Sequence, residues 1–271
     1  MTYFYGDVMA RNKGLTLIEL LIGVVLSSIV VLALYETLTS QHRTYMVQDD
    51  VSEMQQNLRV AMERMARTIR MAGFGKLSTW TDMTGYAHTS GWGFASLNFA
   101  VYPTSGAANT LHVVGCVEAP ASTLANAVAG NPTTITVSAG QGTNFSATTN
   151  RNISIGGKEN ARITGIAGDV LTIDTDLATG GNQGLQSDYN AGTEIFVVRW
   201  ITFSVDTTST PPALVINEHD GAGSQELAQF ITGMSVTVTG KLVDLTLNAQ
   251  TTSREGKTIS ATVSDKILLR N

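Results

Sequence analysis

The chain has 271 residues, a net charge of −5 and an isoelectric point near 5.3, which argue against a nucleic-acid-binding surface as its main feature. Its length allows one large domain or two small ones. Its single cysteine, Cys116, excludes an intramolecular disulfide, and the β-patterned residues around it predict a small buried apolar side chain.

Residues 1–14 have the character of a targeting segment and are kept apart from the fold. Arg11 and Lys13 stand directly before a long apolar run, so we expect the N-terminus to stay cytoplasmic and the chain beyond the run to face outward. Translation from Met9 instead of Met1 would leave a shorter leader, and the sequence does not decide between the two starts.

The apolar run covers residues 15–38 and holds one ionisable group near its start, Glu19, with none following until Glu36. As a helix this run would be about 36 Å long, enough to cross a hydrocarbon core of about 30 Å. A carboxylate near the start of a membrane helix is costly without a cation beside it. The nearest cation would be a new α-amino group, formed by cleavage after Gly14.

The residues around this bond resemble a known signal. A short basic leader ending in Gly14, then Leu-Thr-Leu-Ile-Glu at 15–19 and an apolar helix, resembles the class III signal of type IV pilins and type II secretion pseudopilins. The resemblance implies that a prepilin peptidase cleaves between Gly14 and Leu15 and methylates the amino group of Leu15. It also implies that Glu19 forms an assembly salt bridge in a helical fibre. Phenylalanine is the usual first mature residue, so Leu15 is a mild departure.

Residues 39–75 continue the helical pattern as one apolar stripe, with no proline before Pro103. Acidic Glu63 stands four residues from Arg59 and from Arg67, a spacing that supports a solvent-facing helix surface. Glycines at 73 and 75 predict the stop, so we expect one helix of about 58 residues whose second half packs on a sheet. A coiled coil is the alternative for that half. The stripe consists of Val47, Val51, Met54, Leu58, Ala61, Met65, Ile69 and Ala72.

Residues 76–271 predict a β-rich globular domain. The stretch 76–103 is a glycine- and aromatic-rich loop that either pins itself to the domain surface or forms a stacking platform for a ligand. We expect a strand at 133–138, two strands within 161–177 joined by residues 167–169, and a central strand at 194–205, because that last run is apolar on both faces. Three alternating segments near 234–239, 243–249 and 259–264 predict an antiparallel meander whose apolar side the helical stripe covers. The predicted fold class is α+β and pilin-like, one long N-terminal helix on an antiparallel β-sheet domain.

Three further segments refine the resemblance. Residues 70–75, 153–157 and 266–271 resemble the PilW branch of minor pilins and the related PulJ pseudopilins. Major pilins usually carry a proline where this chain has Glu36. That departure and the size of the β-rich part favour a minor subunit over the bulk fibre subunit.

Catalytic and metal-binding motifs are not evident. The four histidines are scattered without a second ligand at metal spacing. Asp174 and Asp176 before a Gly-Gly pair form at most a weak calcium candidate, since the rest of an EF-hand is lacking. We therefore expect no enzyme activity and no cofactor.

The resemblance thus implies a minor pilin in four parts: a leader at 1–14, a transmembrane and fibre-core segment at 15–38, its amphipathic continuation at 39–75, and a globular domain at 76–271. The implied partners are other major and minor pilins, prepilin peptidase, the inner-membrane assembly platform and, before assembly, membrane lipid. The implied location is the inner membrane and then the pilus at the cell surface. The alternatives are a type II secretion pseudopilin, a pilus-tip adhesin or binding module, and a membrane-tethered periplasmic enzyme.

Overall fold

The computed structural model describes residues 16–75, 101–103, 105–107, 109–149, 151–176, 179–219, 221–253 and 256–270. Over these ranges a helix α1, Leu17–Arg70, precedes fifteen strands and a short 3-10 helix at Gly142–Asn144. All strand pairs are antiparallel, which confirms the predicted α+β class. The strands are β1 Val101–Tyr102, β2 Ser105–Ala107, β3 Thr110–Gly115, β4 Ser122–Thr123, β5 Thr134–Thr136, β6 Asn152–Ile155, β7 Glu159–Ala167, β8 Val170–Asp174, β9 Glu194–Val197, β10 Arg199–Asp206, β11 Ala213–Asn217, β12 Ser224–Gln229, β13 Ile231–Thr239, β14 Leu242–Thr252 and β15 Thr258–Leu268.

Helix α1 has 54 residues and stops where the glycines predict. After Arg70 the chain forms a turn over 71–75, in which Gly73 has a φ of +77°. The Phe74 N–H donates to the carbonyl of Met71 at 3.1 Å. A positive φ is the conformation that glycine adopts without a steric penalty at a helix C-terminus. The predicted long helix and its glycine stop are confirmed.

By its contacts the chain divides into a unit that ends at Asp50 and a unit that begins at Val51. In the second unit the predicted stripe is half-buried at Val51 and buried from Met54 to Ala72, for example Leu58 at 1% and Met65 at 0% exposure. These side chains share one core with the first sheet, order β1-β3-β10-β11-β12, and the second sheet, order β15-β14-β13-β2. The helical stripe is therefore the apolar cover of a sheet, as the spacing indicates.

The C-terminal meander β13-β14-β15 is confirmed, and Gly240 and Lys241 form the turn between β13 and β14. The register of β13 with β14 places Met234 opposite Leu247 on the core side. Residues of the same parity along each strand share a face, so one side of the meander is apolar and the other carries hydroxyl and amide groups.

A third sheet, order β4-β9-β6-β7-β8-β5, encloses a separate core of its own. This arrangement corrects the prediction of one central strand at 194–205. The run divides at Val198 into β9, in the third sheet, and β10, the middle strand of the first sheet. The Val198 N–H donates to the carbonyl of Asn152 in β6 at 2.8 Å, at the point where the chain passes from the third sheet to the first. Both faces of the run are apolar because three clusters of buried side chains receive it. The core of the third sheet takes Ile195 and Val197, a small cluster with Cys116 takes Phe196, Val198 and Trp200, and the core shared with α1 takes Ile201, Phe203 and Val205.

Most of the aromatic loop lies outside the described residues, so its two interpretations stay predictions. Trp80, Tyr86, Trp92 and Phe94 belong to that part. Only its last residues, 101–103, are described, with Tyr102 in β1 and 48% exposed.

Candidate functional site

The first turn of α1 is closed by a reciprocal pair of side chains, Thr16 and Glu19. The backbone N–H and the hydroxyl of Thr16 both donate to Oε2 of Glu19, each at 2.9 Å, and the Glu19 N–H donates to Oγ1 of Thr16 at 3.4 Å. This is a capping box, in which two helix-terminal donors that would otherwise lack partners are satisfied. The motif is readable from a threonine three residues before a glutamate, whereas the charge of Glu19 by itself indicates only the need for a cation.

Both hydrogen bonds to the Glu19 carboxylate end on the same oxygen. Oε2 accepts two donors, while Oε1 accepts none from the described residues. The negative charge also lies at the N-terminal end of a helix, where the peptide dipoles stabilise an anion. The carboxylate is thus oriented by its own helix and keeps one oxygen available.

Beyond this turn the apolar side chains of the first unit are exposed within the part of the chain that the structure describes. An 18-residue window of α1 reaches a mean hydropathy of 2.7 with none of it buried, so the helix is long and apolar enough to cross a membrane. Leu26 and Leu32 illustrate this, at 58% and 63% exposure.

Four serine and threonine hydroxyl groups of this helix segment donate to backbone carbonyls of the same helix. Ser27 donates to the carbonyl of Gly23 at 2.7 Å, and Thr37 donates to that of Ala33 at 2.8 Å. Ser28 and Thr39 make equivalent bonds within the helix. Such bonds remove the need for water around these side chains, which suits a hydrocarbon environment.

Of the predicted site residues, Glu19 lies within the ranges that the structure describes. Arg11, Lys13, Gly14 and Leu15 lie outside the described residues. The cleavage site, the methylation site and the leader charges therefore stay predictions.

A family profile described as the prokaryotic N-terminal methylation motif matches residues 9–35. The match supports a type IV pilin-like protein. The motif implies processing by prepilin peptidase and assembly with other pilins, as for pilins and pseudopilins. The apolar helix is consistent with membrane anchoring before assembly. The comparisons with curated proteins and with solved structures found no match.

In this pilin-like chain the end of α1 is joined to β3 by backbone bonds. The Gly73 N–H donates to the carbonyl of Val114 at 2.9 Å, and the Cys116 N–H donates to that of Phe74 at 3.1 Å. The approach is so close that a Cβ on Gly115 would lie 2.5 Å from the carbonyl oxygen of Met71. Glycine at 115 is therefore required for this junction.

Cys116 lies in the same junction and is fully buried, which confirms the prediction of a small apolar side chain. Burial raises the pKa of its thiol to about 12. Since the thiolate is the reactive form, a buried neutral thiol has little nucleophilic or metal-binding chemistry.

Two of the histidines described as scattered come together in the fold. The Trp200 indole N–H donates to Nδ1 of His112 at 3.1 Å, and Oγ1 of Thr202 lies 2.8 Å from that nitrogen and 2.9 Å from Nε2 of His219. Burial, and then the charge of His219, lower the pKa of His112 to about 3, so it stays neutral. The sequence could not show this, because the strands that carry these residues pair across about ninety positions.

The weak calcium candidate serves the local backbone instead. Oδ1 of Asp174 accepts the N–H groups of Asp176 at 3.1 Å and Gln183 at 3.0 Å. Throughout the ranges that the structure describes, no group of three or more His, Cys, Asp or Glu side chains is placed to hold a metal ion.

Proposed function

We propose that the protein is a minor pilin of a type IV pilus, inserted in the inner membrane with its N-terminus cytoplasmic and then incorporated into the fibre or priming its assembly. The observation that carries this proposal is the methylation-motif match over a helix whose only early charge, Glu19, lies in its first turn. The proposal treats residues 1–14 as the leader, 15–38 as the membrane and fibre-core segment, 39–75 as its amphipathic continuation, and 76–271 as the globular part.

The proposed mechanism is electrostatic. Prepilin peptidase cleaves after Gly14, and Leu15 then presents a methylated ammonium group. Glu19 of an incoming subunit pairs with that group on its neighbour. Oε2 is already bound by Thr16, so Oε1 is the oxygen that accepts the ammonium N–H. In hydrocarbon either charge alone is costly, so the pair drives the subunit into its position.

The large β-rich part supports a minor subunit over the bulk fibre subunit. It contains three sheets and two main cores, more than is needed to cover one amphipathic helix. The residue at 36, glutamate where major pilins usually have proline, supports the same choice.

Mass spectrometry of the native N-terminus tests the processing step. The expected result is a chain that begins at methylated Leu15, with a Gly14→Val variant retaining the leader. Wild-type protein that keeps its first fourteen residues in assembled fibres would overturn the mechanism.

A second experiment tests whether the Glu19 carboxylate is needed for incorporation into the fibre. Glu19→Ala is expected to leave membrane insertion intact but to remove the subunit from sheared fibres. Glu36→Ala is the matched control, because Glu36 is also an exposed acid of the same helix. Equal amounts of the Glu19 variant and the wild type in fibres would contradict the proposed salt bridge.

A pseudopilin would be processed in the same way, but it would assemble into a type II secretion system instead of a type IV pilus. Deletion of the gene should reduce surface pili and leave type II secretion of exported enzymes unchanged. A loss of secretion with normal pili would assign the chain to the secretion system instead.

A further inference from the structure

A cavity of about 400 Å³ lies at one end of the third sheet. The register of β7 with β8 pairs Arg162 with Asp174, so the start of β7 and the residues that follow β8 come to the same end of the sheet. Its volume falls within the range of about 300–1,000 Å³ that is typical of small-molecule sites. All the residues that line it have polar side chains: Lys158, Glu159, Asn160, Thr175, Asp176, Gln183, Gln186 and Ser187.

The wall formed by residues 183–187 is held in place by the carboxylate of Glu159 at the start of β7. Oε1 of Glu159 accepts the N–H of Gln186 at 2.6 Å. Oε2 accepts the N–H of Ser187 at 3.2 Å and the hydroxyl of Tyr189 at 3.0 Å. Because these bonds join the loop to the strand, a ligand would meet a cavity that is already formed.

Two carboxamide groups of this cavity make no hydrogen bond within the described residues. Gln183 is bonded through its backbone only, since its N–H donates to Oδ1 of Asp174 and its carbonyl accepts the N–H of Thr175. Nδ2 and Oδ1 of Asn160 are both buried without a partner. An unpaired buried amide costs free energy, so a folded protein that keeps one needs a reason to do so.

The charges around the cavity favour a neutral ligand. Lys158 contributes one positive charge and Glu159 and Asp176 contribute two negative charges, which leaves a net charge of −1 and disfavours a phosphate or another anion. A metal ion would need free carboxylate oxygens, but Glu159 already accepts three hydrogen bonds and Oδ2 of Asp176 accepts the hydroxyl of Thr179. An apolar molecule would find no apolar side chain in the lining. The ligand that fits is therefore uncharged and rich in hydrogen-bonding groups.

We propose that this cavity binds a neutral sugar ring through the carboxamides of Asn160 and Gln183. A carboxamide presents a donor and an acceptor side by side, and two neighbouring ring hydroxyls match that pair because each hydroxyl both donates and accepts. Asn160 is half-buried and lines the cavity, so rotation about its side-chain bonds turns the amide from its buried position towards the ligand. Binding then supplies the hydrogen bonds that the amide lacks. This function belongs to the third sheet and does not depend on the proposed role in a pilus.

Saturation-transfer NMR on the full-length chain tests the proposal. Phosphatidylcholine nanodiscs hold the protein, because many detergents carry sugar headgroups that would compete. The probes are glucose, galactose, mannose and N-acetylglucosamine, with glucuronate as the anionic comparison. At least one neutral sugar should bind with a Kd of about 1–10 mM, and about fivefold more tightly than glucuronate. No signal from any neutral sugar at about 50 mM, or tighter binding of glucuronate, would overturn the proposal.

Removing one carboxamide tests which groups hold the sugar. Gln183→Ala should weaken binding about tenfold, because two hydrogen bonds are lost. Gln225→Ala is the matched control, since Gln225 is an exposed glutamine of β12 in the first sheet, and it should bind the sugar as the wild type does. Equal affinities of the two variants would contradict the assigned site.

Asn160→Leu separates a binding role from a structural one. Leucine is similar in size to asparagine and has no polar side-chain atom, so the urea midpoint of the β-rich unit should stay unchanged or rise. Sugar binding should fall about tenfold in the same variant. A lower midpoint would mean that the amide serves the fold, and unchanged binding would mean that the ligand does not contact it; either result overturns the proposal.

Methyl glycosides of the bound sugar distinguish two sources of the ligand. They replace the anomeric hydroxyl as a glycosidic linkage does. Binding as tight as that of the free sugar would support the terminal unit of a glycan as the ligand, and binding of the free sugar alone would support a soluble sugar.

Discussion

The two halves of α1 carry similar apolar side chains and have opposite exposures. Leu26 and Leu32 in the first unit are more than half exposed, whereas Leu58 and Met65 in the second are buried. In the second half the apolar residues form one stripe, since a sheet covers one side of the helix only. In the first half they surround the helix, which is typical of a segment that lipid or other helices must surround. The difference shows that one continuous helix can have a first half suited to an apolar environment and a second half suited to packing on a sheet in water.

A leucine-to-alanine substitution should change the free energy of unfolding very differently in the two halves, and its effect in the second half is the largest that we expect. Leu58→Ala should lower the free energy of unfolding of the β-rich unit by about 2–5 kcal/mol, because it leaves a cavity in the main core. Leu32→Ala should change it by less than about 0.5 kcal/mol. Urea unfolding of the full chain in micelles, followed by near-ultraviolet circular dichroism, measures both. Similar losses from the two variants would contradict the division of the helix.

Glycine-to-alanine substitutions compare how closely the backbone is packed in the two units. Gly115→Ala should cost about 1–3 kcal/mol, since its Cβ would overlap the backbone at the end of α1. Gly23→Ala should be neutral in the same unfolding assay, because nothing lies within 4 Å of its added Cβ. A neutral Gly115→Ala would mean that the junction between α1 and β3 is looser than described.

Buried Cys116 predicts a pH dependence that is confined to the second unit. Its pKa is raised from 9.0 in the unfolded chain to about 12, so the unfolded chain releases the proton first as the pH rises. Stability from this group is complete below pH 9 and is lost progressively up to about pH 12, by roughly 1 kcal/mol at pH 10.

Urea unfolding at pH 8 and pH 10 measures this change. Cys116→Ala has no thiol to ionise and serves as the control. If wild type and variant lose equal stability between the two pH values, the thiol does not contribute.

The smallest effect belongs to the capping box in the first unit. Thr16→Ala should speed hydrogen exchange of the first-turn amides roughly fivefold by removing the cap, and Thr16→Ser should preserve it. The β-rich unit should unfold as in the wild type. Unchanged exchange in the alanine variant, measured by mass spectrometry in micelles, would show that the box does not hold the turn.

Several parts of this protein follow from the sequence alone, because short-range patterns encode them. The long helix follows from the absence of proline and from the apolar spacing, and its stop follows from Gly73. The C-terminal meander follows from strict alternation on β13, β14 and β15. The type IV pilin-like character follows from a short N-terminal motif.

Other features were decided by contacts between distant residues. The break at Val198 arises because the side chains of one apolar run enter three separate buried clusters, and apolarity on both faces does not say how many sheets receive it. His112 and His219 meet through Thr202 only because β3, β10 and β11 are neighbours in one sheet. The requirement for glycine at 115 likewise depends on where α1 ends against β3. Periodicity reports which face of an element is apolar, whereas the tertiary structure alone determines what covers that face.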